Sequence, residues 1–151
     1  MSSARGTSLE LRLERRIRAP RQRVWDAWTK PELVRRWSAP EGMSVPAGTM
    51  DVRVGGSWEV TMVRDDNGER HVAFGRYLEI VPPARIMYTH AWRSADGGSS
   101  PETTLTVELI EDGDATRVIL TQEGFGDAGS RDGHAEGWGS ALNKLVAVME
   151  G

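Results

Sequence analysis

Two hydrophobic periods divide this chain. From Leu9 to Gln122 apolar residues recur at every second position in short runs, and from His134 to Met149 they recur at steps of three and four. The first period is one face of a half-buried strand; the second is one stripe of a helix. The closing stripe comprises His134, Trp138, Ala141, Leu142, Leu145, Val148 and Met149. It predicts a long helix over Ser130–Glu150, with Ser130 as N-cap and Asp132 where the helix dipole favours a carboxylate. Gly133, Gly137 and Gly139 stand in its first turns, each costing about 1 kcal/mol against alanine. Glycines kept at that cost suggest that a strand backbone or a ligand comes close.

The period-two segment opens with Leu9, Leu11, Leu13 and Ile17 facing one way and Glu10, Arg12, Glu14 and Arg16 the other. Two short helices interrupt it. Pro20 opens the first, which carries Val24, Trp25, Ala27 and Trp28 on its apolar face. Thr29 and Glu32 have capping-box spacing around Pro31, ahead of Leu33, Val34 and Trp37. After Pro40 alternation returns. A strand from about Val45 to Val54 meets a Gly55-Gly56 turn, Trp58, Val60 and Met62 share the next face, and Asn67-Gly68 marks a hairpin. The strand over Arg70–Ile80 has two mixed faces, and its inward side is undetermined. Ile86, Tyr88, His90 and Trp92 then share a face, followed by Leu105, Val107 and Leu109, and by Val118, Leu120 and Gln122, with Asp112-Gly113 at the turn between the last two runs.

The fold class is therefore α+β. The expected architecture is a curved antiparallel sheet of about six to seven strands around the C-terminal helix, with two short helices after the first strand closing one end. A chain of 151 residues suits one domain, expected over residues 9–151, with residues 1–8 as a flexible tail. The tail lacks the apolar segment of a signal peptide. There is no cysteine, so disulfides and thiolate chemistry are excluded, and the cytoplasm is the expected compartment. A net charge of −3 with interspersed signs gives no footprint for nucleic acid, and no apolar run is long enough to span a membrane. The sequence leaves room for a homodimer.

Four strings, "APRQRVWDAWTKPELVRRW", "MDVRVGGSWEV", "VPPARIMYTHAW" and "RDGHAEGW", resemble the START-like, helix-grip superfamily that includes the birch pollen allergen. More narrowly, they resemble bacterial proteins similar to the C-terminal domain of the activator of the heat-shock ATPase. The resemblance covers nearly everything from Leu9 onward. It implies the wrapped-sheet fold and an internal cavity. The heat-shock activator works with a separate N-terminal domain, for which this length leaves no room, so its co-chaperone role is not carried over.

Catalytic signatures are sparse. Cysteine is absent, "GWGSAL" lacks the spacing of a nucleophile elbow, and neither dinucleotide nor Walker glycine patterns occur. The three histidines, His71, His90 and His134, lack the spacing of a zinc site, so neither metal nor cofactor is expected. Asp132 and His134 stand two apart on a helix and diverge. The six tryptophans against two each of Phe and Tyr are the unusual element. Trp25 and Trp28 are expected in the core. Trp37, Trp58, Trp92 and Trp138 lie on four separate elements that the resemblance brings together on the concave face. The expected ligand cavity comprises Trp37, Trp58, Val60, Met62, Tyr88, His90, Trp92, Leu105, Val107, His134, Trp138, Ala141 and Leu142.

Three functions fit: binding of a small hydrophobic ligand without covalent catalysis; an acid–base enzyme such as a cyclase, aromatase or hydrolase using His90 or His134; or a protein-interaction module, in chaperone regulation or toxin–antitoxin pairing. A cavity sealed by side chains favours the third. An open one with a buried polar pair favours the second.

Overall fold

The structure is a computed structural model that describes residues 9–94 and 96–151. The tail expected over residues 1–8 lies outside the described residues. Seven strands form one antiparallel sheet in the order β1-β7-β6-β5-β4-β3-β2. They are β1 (Leu9–Ile17), β2 (Met43–Met50), β3 (Ser57–Arg64), β4 (Arg70–Val81), β5 (Arg85–Trp92), β6 (Thr103–Asp112) and β7 (Ala115–Phe125). Between β1 and β2 lie α1 (Arg21–Thr29) and α2 (Pro31–Val34), and the chain ends in α3 (Ala128–Glu150).

The first and last strands in sequence are hydrogen-bonded neighbours, Leu13 opposite Leu120 and Ile17 opposite Thr116. Helix α3 lies chiefly on β1. Its C-terminal half supplies the buried residues Ala141, Leu142, Leu145 and Met149. Leu142 and Leu145 are fully enclosed with Ile17, Leu105, Val107 and Leu120. Arg15, on the inward face of β1, reaches across to α3, where its guanidinium donates to Asn143 Oδ1 at 3.1 Å and to the Gly139 carbonyl at 3.3 Å. An inward-facing charge on a strand is thus satisfied by the helix it faces.

Local details depart from expectation in three places, and a fourth, left open, is settled. Helix α3 begins two residues earlier than the sequence indicates, because Asp127 is the N-cap: its carboxylate accepts from the Ser130 N–H at 2.7 Å. The Thr29–Glu32 capping box does not form, since Thr29 Oγ1 donates back to the Trp25 carbonyl at 2.9 Å, and Lys30 caps α2 without a side-chain bond. The strand placed over Val45–Val54 runs instead over Met43–Met50, and Val54 stands in the exposed loop that follows. Finally, the mixed faces of β4 have a physical cause. Its pairing with β5 slips between Tyr77 and Glu79, a bulge that puts the exposed Leu78 outward and shifts the inward set from Ala73 and Tyr77 to Ile80.

The same strand pair is tightly joined beside His90. The Thr89 carbonyl accepts from Trp58 Nε1 at 3.1 Å, while the Thr89 hydroxyl accepts from the Arg76 N–H at 2.9 Å. Gly75 lies against this carbonyl so closely that any Cβ would strike it. Glycine there is a requirement of strand contact.

Candidate functional site: a divided aromatic cavity

The C-terminal half of α3 is pressed into the sheet, but no residue of its N-terminal half is fully buried. Under that half lies an open cavity of about 420 Å³. Its walls include Met43 on β2, Met62 on β3, His71 on β4, His90 and Trp92 on β5, and Ser38 and Pro40 from the segment after α2. The helix contributes Gly129, Ser130, Gly133, His134, Gly137, Trp138 and Ala141. Among the described residues, an added Cβ at Gly133 would meet nothing, and one at Gly137 would touch only the Pro40 ring, at 3.6 Å. These glycines are not there to admit a strand backbone. What they leave is space.

Behind this cavity lies an inner chamber of about 60 Å³, walled by Trp28, Val34, Trp37, Met50, Trp58, Val60, Ala73, Tyr77 and Tyr88. Ser38, Met62, His90 and Trp138 border both spaces. Ten of the expected cavity residues therefore line one chamber or the other: Trp37, Trp58, Val60, Met62, Tyr88, His90, Trp92, His134, Trp138 and Ala141. Leu105, Val107 and Leu142 are fully enclosed in the core and line neither. Trp25 is a buried core residue as expected; Trp28 is buried as well, but it also walls the inner chamber and stacks on Trp138, with centroids 6.0 Å apart.

His90 is the hub of the aromatic cluster. Its ring centroid lies 5.3 Å from Trp92, 5.6 Å from Trp58, 6.0 Å from His134 and 6.4 Å from Trp138. Burial, with a smaller effect of the neighbouring His134, pushes its pKa down to about 3, so the ring is neutral at physiological pH. Burial likewise holds the phenols of Tyr77 and Tyr88 above their usual range.

His134 is held differently. Trp92 Nε1 lies 3.0 Å from His134 Nε2, and His134 Nδ1 lies 2.7 Å from the Ser130 carbonyl. An indole N–H can only donate and a carbonyl can only accept. Nε2 is therefore the acceptor and Nδ1 carries the proton, so both nitrogens are already engaged. Asp132 takes no part and is paired with Arg131 at 3.0 Å.

The other indoles behave similarly. Trp138 Nε1 donates to Gln122 Oε1 at 2.9 Å, Gln122 Nε2 donates to Thr103 Oγ1 at 2.8 Å, and Thr103 Oγ1 donates to the His90 carbonyl at 3.0 Å. Trp37 Nε1 donates to the Ala27 carbonyl at 2.9 Å. By contrast Trp28 Nε1 and Ser38 Oγ are buried without a hydrogen-bond partner among the described residues. Each such group costs about 1–3 kcal/mol.

With this geometry in view, comparison with known proteins places the chain. Residues 18–150 match the family of Activator of Hsp90 ATPase homolog 1-like proteins. The chain belongs to this family. A protein from Chromobacterium violaceum has a similar solved structure, with 30% identity over 95% of this chain and 99% of that one, and a TM-score of 0.81. The AHSA1 protein from Silicibacter pomeroyi is 30% identical over 92% of this chain and 96% of its own, with a TM-score of 0.83. A protein from Rhizobium leguminosarum is 28% identical over 94% of each chain, with a TM-score of 0.77. Comparison with curated proteins gives no match. The helix-grip arrangement of the AHSA1-like proteins is thus the fold of this chain.

Several cavity residues escaped the sequence reading. Ser38, Pro40 and Met43 lie where periodicity carries no information, and His71 falls on the strand whose inward face was undetermined. The glycines of the last helix were the one available signal for the open space. Among the described residues, no group of His, Asp and Glu is arranged to hold a metal ion, and no helix is long and apolar enough to cross a membrane.

Proposed function

We propose that the protein binds a small hydrophobic or aromatic molecule in the cavity beneath the first half of α3, without covalent catalysis. The observation that carries this reading is the cavity itself: about 420 Å³, open to the outside, and walled by Trp92, Trp138, Met43 and Met62 under a glycine-lined helix. Its volume falls within the roughly 300–1,000 Å³ of small-molecule sites, and its mix of apolar walls with a few polar groups is their usual character.

The acid–base reading is weaker for a specific reason. The polar pair it needs is only half buried: His90 is enclosed but His134 is partly exposed. His134 has both nitrogens engaged, and His90 is a weak base. A general base needs a free lone pair of suitable basicity. The family's name, from an activator of an ATPase, keeps a regulatory role as the second reading. An open cavity argues against a purely protein-facing module.

Titration with N-phenyl-1-naphthylamine, a neutral fluorescent probe, tests the proposal. Saturable binding with one site per chain and quenching of tryptophan emission is the expected result. Absence of binding, or binding unaffected by Trp138→Ala, removes it.

A further inference from the structure

We infer that the two chambers are the outer and inner parts of one elongated site, and that its ligand is an uncharged molecule whose leading end carries a hydrogen-bond acceptor such as a ketone or ether oxygen. This rests on the binding function proposed above and specifies its ligand.

Three observations carry it. The chambers share a wall of Ser38, Met62, His90 and Trp138. Met62 is only partly buried in that wall, and methionine is the side chain best able to swing aside, with three rotatable bonds and an adaptable thioether. Displacing it joins the two spaces.

The second observation is the pattern of unmet hydrogen bonds. Of the five indoles at the site, those of Trp37, Trp58, Trp92 and Trp138 each have an acceptor. Trp28 walls the inner chamber and its buried Nε1 has no acceptor among the described residues; Ser38, a residue of the shared wall, has a buried Oγ that is also unpaired. Ser38 is 9% exposed and Trp28 5%, so bulk water does not answer for either. An indole N–H can only donate and a serine hydroxyl is able to donate. An acceptor atom entering past Met62 would satisfy groups that the folded chain leaves unsatisfied.

The third is charge. Among the described residues, no Asp, Glu, Lys or Arg lines either chamber, and His90 is held neutral. A charged leading group would lose its hydration without gaining a counter-ion.

A matched set of probes tests this on the full chain by calorimetry at neutral pH: 2-acetylnaphthalene, 2-isopropylnaphthalene and 2-naphthoate. They share a ring system and differ in acceptor and charge. One recovered hydrogen bond predicts that the ketone binds roughly tenfold more tightly than the hydrocarbon, with the carboxylate weakest. Ser38→Ala should lower ketone affinity severalfold and leave the hydrocarbon unchanged. Met62→Phe, which stiffens the partition, should erase the ketone's advantage while both still bind. Equal binding of ketone and hydrocarbon, tight binding of 2-naphthoate, or a ketone advantage that survives both substitutions overturns the inference while leaving ligand binding intact. Failure of all three compounds and of N-phenyl-1-naphthylamine overturns the binding function itself.

Discussion

The indole of Trp92 donates to Nε2 of His134 across 3.0 Å, and this bond agrees with the Ser130 carbonyl in placing the histidine's proton on Nδ1. The pair spans β5 and α3, so it also ties the open end of the helix to the sheet. In ¹⁵N spectra at neutral pH His134 should show the Nδ1–H tautomer. Trp92→Phe should keep that tautomer, since the Ser130 carbonyl still accepts from Nδ1, and should lower unfolding free energy by about 1 kcal/mol, because solvent in the cavity can replace the lost donor. A tautomer mixture in the variant would show that the indole, and not the Ser130 carbonyl, sets the proton's position.

His90 gives a pH dependence of definite sign. Burial lowers its pKa from the 6.5 of an ordinary histidine to about 3 in the folded chain. Below pH 6.5 the unfolded chain takes up a proton that the folded chain refuses, so stability falls as pH falls through that window and is fully present above it. Between pH 7 and pH 5 the loss should be about 2 kcal/mol. Urea unfolding at pH 7, 6 and 5 measures it, and His90→Asn should remove most of the slope. Parallel curves for the two proteins would mean that the buried ring is protonated.

Gly137→Leu separates space from contact. The nearest atom to the new Cβ is the Pro40 ring at 3.6 Å, ordinary contact, and leucine is the better helix former by nearly 1 kcal/mol. Thermal stability should hold or rise while affinity for N-phenyl-1-naphthylamine drops at least severalfold. A destabilised variant would reveal a contact between helix and sheet that the geometry does not contain.

Leu145→Ala tests the anchored half of the same helix. Leu145 is fully enclosed, so truncation should cost about 2–5 kcal/mol. A melting temperature equal to the parent's would rule out the helix lying in the sheet as described.

Periodicity made the architecture readable because each element has one buried face. Leu11 and Ile17 on β1, Ile86, Tyr88 and His90 on β5, and Leu142 and Leu145 on α3 all point inward as their spacing indicates. It fails where chain geometry breaks the period. The bulge at Leu78 reverses the faces of β4, and a carboxylate nearly one turn earlier than Ser130 starts the last helix. The cavity is a relation between elements, so spacing alone does not separate Leu105 and Val107, which share its strand faces but lie in the core, from Tyr88, which borders empty space. Ser38 was invisible for another reason: its importance lies in a missing partner, and sequence does not record unmade bonds.

The division of α3 into an anchored half and a spanning half has a consequence for how such a chain can change. Folding depends on Leu142, Leu145 and Met149, whereas Gly129, Gly133 and Gly137 border the cavity on the same element. Side chains introduced at those three glycines would reshape the mouth without disturbing the residues that hold the sheet closed. If the cavity binds as proposed, selectivity and stability are carried by different turns of one helix, and a library varied at positions 129, 133 and 137 would explore new ligands while sparing the fold.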